Sequence, residues 1–295
     1  MKKRVSFLMA LVMLVTLLGG CGSDPQSGDS DVRTVNLRNT ASLTTSDPNM
    51  TTNTHDYTVH ENIYEGLYDL DEATGGYELR LAEKVEPNED STEYIVTLKQ
   101  GVKFHNGETM TADDVVFSYG LAQASARMAS YIRTLDHVEK VDDNTVKIVM
   151  NQPFSPIGHM MYKVKILSQK EVTEQGDDFG KIANKAGTGP YMWEEENYNP
   201  MTSWSAVAFE DYHRGKPQIE RITWHVIEDD TSAITALQTG DIVIWLFPSL
   251  TGKTSRVLTN LPVLRRNPTR LLPSASTSNP RIMANCSGMI ISGWQ

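Results

Sequence analysis

Residues 32–246 of this 295-residue chain predict an α/β fold. Three features support the prediction: segments in which apolar and polar residues alternate, helical segments that begin with capping signals, and a strand, a helix and a second strand in succession near residues 221–245. Hydrophobic residues make up 39% of the chain, which is enough for one large domain or two smaller ones.

Three strands follow from alternation and from their content of β-branched and aromatic residues. They are residues 93–99, 145–150 and 221–227. After the first of them, Gln100-Gly101 favours a turn. We therefore expect a hairpin in which residues 93–99 continue into a second strand at residues 102–105.

Two helices are predicted from their ends. Thr111 can cap the first helix, and the two aspartates in its first turn favour the positive end of the helix dipole. Val115, Tyr119 and Ala122 then share one face. The second helix covers about residues 231–239 and stops at Gly240, which can adopt a positive φ. Residues 241–245 follow as a predicted buried strand.

The first residues predict an export signal. Three basic residues precede the uncharged run 5–18, and Gly19-Gly20 stand directly before Cys21. As a helix this run would reach roughly 21 Å, against a hydrocarbon core of about 30 Å, so an uncleaved anchor is disfavoured. The pattern resembles the lipobox of bacterial lipoproteins, which implies cleavage of a signal peptide, residues 1–20, and acylation of Cys21.

Residues 21–31 are predicted to be a flexible tether. Beyond Cys21 they contain no apolar residue to bury, so they cannot offset the entropy lost on ordering. The only other cysteine is Cys286, and no internal disulfide is expected once Cys21 is lipidated.

The charge of the chain is unevenly distributed. A net charge of -10 argues against nucleic acid or anionic lipid headgroups as partners. However, no acidic residue follows Asp241, and residues 247–295 also lack any regular periodicity. A basic interaction tail is one interpretation of this segment. We prefer the hypothesis that a reading-frame change or a misjoined gene replaced the natural continuation near residues 242–247.

No catalytic or metal-binding motif is complete. His60-Glu61-Asn62-Ile63-Tyr64 lacks the second histidine of a zinc protease, and Gly252-Lys253-Thr254 lacks the earlier glycine of a phosphate-binding loop. The seven histidines are dispersed, and no Gly-x-Ser-x-Gly elbow occurs. We therefore predict no cofactor, no metal site and no enzymatic activity; a secreted hydrolase is the alternative that these absences disfavour.

Five short sequence segments, which we call phrases, have an informative order and spacing along the chain. They are Ser46-Asp47-Pro48, Glu61-Asn62-Ile63-Tyr64-Glu65-Gly66-Leu67, residues 103–115, Gly187-Thr188-Gly189-Pro190-Tyr191 and Thr239-Gly240-Asp241. Together they resemble the extracytoplasmic solute-binding proteins of peptide ABC importers, family 5, which also includes nickel binders. The resemblance covers about residues 32–241. The glycines in these phrases suit turns and strand entrances, so most of the phrases predict scaffold rather than ligand contacts.

The resemblance implies a two-lobe fold of the periplasmic-binding-protein type (type II, cluster C) with a cleft. Residues 32–59 and 187–246 would form the first lobe, and residues 60–186 an inserted lobe. In larger family members an opposing lobe closes over the ligand and supplies an acidic partner for the N-terminal amine of a peptide. Nothing in residues 247–295 resembles that lobe, so we expect the C-terminal lobe to be missing.

The resemblance also implies a ligand-binding segment. In the proteins that this chain resembles, the loop equivalent to residues 46–57 lines the cleft and offers backbone groups to the ligand. The expected ligand-binding residues are Ser46, Asp47, Pro48, Asn49, Asn53 and Tyr57. An ordinary polar loop is the alternative interpretation.

The function implied is that of a monomeric, membrane-tethered protein that captures peptides or another small polar solute. It would deliver them to a separate permease whose ATPase is another subunit. A nickel-binding or other small-solute protein of the same family is one alternative. Another is a descendant that no longer binds because the opposing lobe is lost.

Overall fold

The computed structural model describes residues 33–71 and 73–243, which form an α/β structure as predicted. The predicted signal peptide, Cys21 with its tether, and the segment 247–295 lie outside the described residues. Among the helices that are described, none is long and apolar enough to cross a membrane.

Ten strands and six α-helices make up the described structure. The strands are β1 (Thr34–Asn39), β2 (Tyr68–Asp71), β3 (Gly76–Leu79), β4 (Ala82–Pro87), β5 (Glu93–Leu98), β6 (Leu135–Asp142), β7 (Thr145–Met150), β8 (Tyr191–Asn199), β9 (Ser203–Ala208) and β10 (Arg221–Val226). The helices are α1 (Thr54–Ile63), α2 (Ala112–Ala124), α3 (Ala129–Ile132), α4 (Ile157–Lys163), α5 (Gln169–Gln175) and α6 (Asp230–Thr239).

The first sheet has the strand order β1-β10-β9-β8. Strands β1 and β10 are parallel, and the other pairs are antiparallel. Trp204 and Trp224 are register partners across β9 and β10, and both are almost fully buried. Ile63 and Tyr64, from the end of α1, belong to the same apolar core. These large side chains join α1 to the sheet by burying apolar surface.

The second sheet has the order β4-β5-β7-β6 and is antiparallel throughout. Alternate residues of β5 and β7 are buried, as their sequence patterns predict. Val115, Tyr119 and Ala122 of α2 are also fully buried in this core, which confirms the predicted apolar face.

The predicted hairpin is wrong. Strand β5 pairs with β4 and β7, whereas residues 102–105 form only an isolated bridge between Lys103 and Thr109. The reason is the tight turn at Asn106-Gly107, where Gly107 has φ 87°. This turn folds the segment back on its own continuation, so that Phe104 N–H donates to Glu108 O at 2.8 Å. Strand β5 is left to pair with strands distant in sequence.

The helix ends agree with the sequence signals. At the start of α2, the Asp114 carboxylate accepts hydrogen bonds from the N–H and the hydroxyl of Thr111, at 2.9 and 3.0 Å. Helix α6 ends at Gly240 with φ 85°. The strand predicted at residues 241–245 is described only as far as Val243 and is not a strand there, although Val243 N–H donates to Asn36 O at 3.0 Å.

The two sheets draw on different parts of the chain. The first uses strands from residues 32–59 and 187–246, and the second uses strands from residues 60–186, which are the ranges predicted for the two lobes. All described residues fall within one compact unit. The division into lobes therefore stays a prediction.

Candidate functional site

Three of the five sequence phrases meet at the end of α1, in a contact that we call the glycine junction (Ile63, His105, Gly187 and Gly189). A Cβ atom on Gly187 would lie 2.2 Å from Ile63 O, and one on Gly189 would lie 2.6 Å from the Ile63 carbonyl carbon. His105 N–H donates to Gly187 O at 2.8 Å, and its Nε2 lies 2.9 Å from Gly189 O. Burial lowers the pKa of His105 to about 4 and keeps it neutral. Backbone contact this close favours the scaffold interpretation of these phrases.

Beside the junction lies a largely buried network of charged and polar side chains, the Glu65 network (Glu65, Arg80, Thr188, Tyr212 and His213). The Glu65 carboxylate accepts hydrogen bonds from the Tyr212 hydroxyl and His213 Nε2 at 2.8 Å each and from the Thr188 hydroxyl at 3.1 Å. Arg80 Nε lies 3.8 Å away. Burial alone would raise the pKa of Glu65, but His213, Arg80 and Tyr212 hold it below its usual value. This network ties the phrase around Glu65 to residues 188 and 212–213.

The first predicted ligand-binding residues lie on a well-ordered loop. Ser46 is fully buried, and its hydroxyl donates to Ile182 O at 2.5 Å. Asp47 caps a short 3₁₀ helix, Pro48–Met50, by accepting from Asn49 N–H at 2.8 Å. Burial raises the pKa of Asp47 to about 6, although that hydrogen bond opposes the shift. Pro48 is buried at the start of the same turn.

Asn49 fixes the loop to a neighbouring segment. It is 1% exposed, and its amide pairs with the backbone of Lys165: Nδ2 donates to Lys165 O at 3.1 Å, and Oδ1 accepts from Lys165 N–H at 3.2 Å. The Ser125 hydroxyl donates to Asn49 O at 2.9 Å. The side chain of Asn49 is therefore used inside the protein.

Asn53 and Tyr57 lie nearer the surface. Asn53 caps α1 by accepting from His55 N–H at 3.0 Å, and the Tyr57 hydroxyl donates to Thr51 O at 3.0 Å. Thus the six predicted residues form one continuous loop and helix start, in which four side chains mainly support the loop. Ligand contacts here would come chiefly from the backbone and from Tyr57. Their role as ligand contacts stays a prediction.

The sequence analysis missed a group next to this loop, which we call the lysine–tyrosine cluster. Its members are Tyr57, Tyr131, Tyr162, Lys163 and Lys165. The Lys163 ammonium lies 4.3 Å from the ring centroid of Tyr57, 5.0 Å from that of Tyr162 and 5.7 Å from that of Tyr131. The Lys165 ammonium lies 4.5 Å from the ring centroid of Tyr162. Such distances are typical of cation–π contacts.

A sequence signal for the cluster exists but is weak. Lys163 and Lys165 flank one buried valine, and Tyr162 precedes them. The tyrosines at positions 57 and 131 come from distant segments, so only the fold brings them to the lysines. Across residues 33–71 and 73–243, the structure contains no group of three or more histidine, cysteine or acidic residues placed to hold a metal ion.

Comparison with known proteins places the chain in a family. Residues 76–278 match the model for bacterial extracellular solute-binding proteins, family 5 Middle. The glutathione-binding protein GsiB of Salmonella typhi is 30% identical over 207 residues, which are 68% of this chain and 40% of that protein.

Two solved structures share the fold. The oligopeptide-binding protein AppA of Bacillus subtilis, in complex with a nonapeptide, has a TM-score of 0.69 and 24% identity over 78% of this chain and 46% of its own. MoaA of A. tumefaciens R10, in complex with mannopinic acid, has a TM-score of 0.68 and 28% identity over 80% of this chain and 48% of its own.

The chain spans about 40% of the length of the curated relatives that it matches. The family match extends beyond the described residues and past the last phrase that carries the resemblance. Members of this family bind solutes and are not enzymes, in agreement with the absence of a complete catalytic motif. The chain belongs to the bacterial extracellular solute-binding proteins of family 5.

Proposed function

We propose that this chain is the solute-binding component of an ABC importer and that it captures short peptides. The observation that carries the proposal is the family match over residues 76–278. Its relatives include proteins named for binding glutathione, which is a tripeptide, and oligopeptides. In the proposed role the protein breaks no bond; it concentrates a solute outside the membrane and delivers it to a permease driven by a separate ATPase.

Peptide recognition would use the loop at residues 46–57. Hydrogen bonds within the loop fix its path: the Asp56 carboxylate accepts from Thr44 N–H at 3.0 Å and from the Thr51 hydroxyl at 2.7 Å. A preorganised loop can offer backbone groups to an extended peptide without a large entropy cost. A ligand would favour a closed form only through its higher affinity for that form.

We further propose that the protein acts as a monomer held at the outer face of the cytoplasmic membrane by lipid on Cys21. Mass spectrometry of the mature N-terminus tests the anchor directly. We expect a diacylated or triacylated Cys21 in the native host and no lipid on the Cys21→Ala protein. An unmodified Cys21 preceded by an intact residue 20 would contradict the anchor.

A small polar solute other than a peptide is the second candidate. The 28% identity to MoaA, whose structure contains mannopinic acid, favours it. Nickel is the other family-based alternative, but the described part of the chain contains no group of three or more histidine, cysteine or acidic residues that could hold a metal ion.

Titration calorimetry of the purified full chain separates these candidates. Tri-alanine, glutathione and mannopinic acid are titrated separately, after circular dichroism and a cooperative urea transition have established that the sample is folded. The proposal predicts saturable binding of at least one of the two peptides. Binding of mannopinic acid alone would favour the second candidate, and flat traces for all three would contradict both.

A further inference from the structure

Lys165 is an unusual residue within the lysine–tyrosine cluster. The residue is only 4% exposed, yet no hydrogen bond or ion pair of its ammonium occurs within the described part of the chain. Although the residue is buried, its ammonium still reaches solvent. A buried cation normally carries a counter-charge, because burial without one costs several kcal/mol.

Lys163 lies beside it in a similar state. No carboxylate of residues 33–71 or 73–243 forms an ion pair with Lys163. Burial lowers the pKa of Lys163; the negative charge of Glu61 opposes that shift, and the positive charge of Lys165 adds to it. Both ammonium groups therefore lie against the ring of Tyr162, and neither forms an ion pair within the described residues.

The acidic groups nearby accept hydrogen bonds from other residues and form no ion pair with Lys163 or Lys165 within the described residues. The Glu61 carboxylate accepts a short hydrogen bond from the Tyr162 hydroxyl. Both oxygens of Asp56 accept hydrogen bonds, from Thr44 N–H and from the Thr51 hydroxyl. His60 is buried, and its Nε2–H donates to Thr45 O at 2.9 Å. Burial lowers the pKa of His60 to about 4, so it adds no positive charge near neutral pH. Neither lysine therefore has a carboxylate within ion-pair distance in the described structure.

We propose that Lys163 and Lys165 form a carboxylate-binding subsite for the ligand. The cluster is continuous with the predicted contact loop, because Tyr57 lies under the Lys163 ammonium and the Asn49 amide holds the Lys165 backbone. The proposal rests on the proposed function and adds to it: the solute carries an anionic group that these lysines neutralise.

The chemistry of the cluster favours a carboxylate on an organic solute. Each ammonium is a point charge with three donors and needs no planar, bidentate partner. The rings of Tyr57, Tyr131 and Tyr162 border the charges with apolar surface, which suits the aliphatic or peptide part of the solute. In a peptide, the carboxylate is either the C-terminus or an acidic side chain, and both satisfy the same subsite.

Calorimetry with three peptides and four proteins tests the subsite. The peptides are tri-alanine, its C-terminal amide and the amide of Ala-Glu-Ala. The proteins are the full-length wild type, Lys163→Met, Lys165→Met and the control Lys84→Met, which removes an exposed lysine of the second sheet. Methionine keeps the length and apolar stem of lysine, and circular dichroism with urea unfolding verifies that each variant folds.

The subsite predicts that the wild type and Lys84→Met bind tri-alanine about tenfold or more tightly than its amide, as expected for a charge-assisted hydrogen bond. Lys163→Met and Lys165→Met abolish that difference. Recovery of affinity by the amide of Ala-Glu-Ala shows that a side-chain carboxylate is accepted; no recovery assigns the subsite to the C-terminus.

Equal affinity of the wild type for all three peptides overturns the subsite and leaves the proposed function intact. If no peptide binds, peptide capture fails, and a second measurement decides the subsite alone. Propionate is titrated into lysine-labelled wild type while the side-chain NMR signals are followed. Saturable shifts at Lys163 and Lys165, absent at Lys84, support the subsite, and their absence overturns it.

Discussion

The glycine junction and the lysine–tyrosine cluster each include a residue of helix α1, Ile63 and Tyr57 respectively, but they differ in packing and in charge. At the junction, backbone meets backbone, the glycines have no room for a side chain, and His105 is buried and hydrogen-bonded. In the cluster, the two lysine ammonium groups lie over tyrosine rings, and neither forms an ion pair within the described structure. The junction leaves no space for a ligand, although the buried Nδ1 of His105 has no hydrogen-bond partner, whereas the cluster presents two ammonium groups without an ion pair.

This difference explains why the family phrases reveal so little about the ligand. A phrase such as Gly187-Thr188-Gly189 marks a place where geometry tolerates few residues. None of the residues of the lysine–tyrosine cluster belongs to one of the five phrases. The family is therefore identified by its scaffold, and solute chemistry has to be read from charge and burial in the fold.

The largest effect is expected from breaking the Glu65 network. Glu65→Gln removes the charge that faces Arg80 and His213, so the free energy of unfolding at pH 7 should fall by about 3–5 kcal/mol. Since the pKa of Glu65 is held low in the folded state, its stabilisation is present above the unfolded pKa and is lost as the pH falls. The difference between variant and wild type should accordingly shrink in acid.

Urea denaturation at pH 7 and at low pH measures this change. Glu196→Gln, at an exposed position of β8, is the matched control and should change stability by less than about 0.5 kcal/mol. Equal effects of the two substitutions would mean that the Glu65 network does not support the fold.

A smaller loss is expected at the glycine junction. Gly189→Ala places a Cβ 2.6 Å from the Ile63 carbonyl carbon, and overpacking against backbone should lower the free energy of unfolding by about 1–3 kcal/mol. Gly120→Ala is the control, because this helical glycine has open space around it. The control should be stabilising by about 0.5–1 kcal/mol. Thermal unfolding of both variants distinguishes close contact from a general effect of replacing glycine.

Asp47, in the predicted contact loop, makes the stability of the protein depend on pH, because burial raises its pKa. A carboxyl whose folded pKa is about 6 binds protons more tightly in the folded state than in the unfolded state, so its contribution to stability declines as the pH rises from about 4 to 6. Asp47→Asn keeps an acceptor for Asn49 N–H without the charge. At pH 7.5 it should stabilise the protein by about 1–2 kcal/mol, with little effect at pH 4. Urea titrations at both pH values measure this, and destabilisation at pH 7.5 would contradict the assigned cause.

The smallest effect on stability is expected in the lysine–tyrosine cluster. Lys163→Met preserves the stem over Tyr57 and removes a charge that has no ion-pair partner in the described structure, so the free energy of unfolding should change by less than about 1 kcal/mol. Urea unfolding without ligand measures the change. A loss as large as that of Gly189→Ala would show that the lysine supports the fold, and the contrast between the two regions would disappear.

Local patterns predicted local structure well. The alternation in β5, β7 and β10, the capping signals of α2 and the Gly240 stop of α6 each depend on neighbouring residues, and each is found in the structure. The predicted hairpin after Gln100-Gly101 was wrong because strand pairing depends on distant segments. Strand β5 pairs with β4 and β7, and residues 102–105 instead contact their own continuation across the turn at Asn106-Gly107.

The candidate site was predictable only in part. The loop at residues 46–57 was found through resemblance, but nothing in its sequence shows that Ser46 and Asn49 turn inward. Lys163 and Lys165 were missed because a buried lysine without an ion pair cannot be recognised until burial and neighbours are known. Tyr57 and Tyr131 are 74 positions apart in the chain, and only the fold places both at Lys163.

The account rests on one contrast, between the close-packed glycine junction and the lysine–tyrosine cluster, which we propose binds the solute. Its most direct test is an NMR titration of the full chain, labelled at lysine and glycine, with tri-alanine. The account predicts saturable shifts of the Lys163 and Lys165 side-chain signals while the amide signals of Gly187 and Gly189 stay in place. Shifts confined to Gly187 and Gly189, with both lysines unmoved, would contradict it.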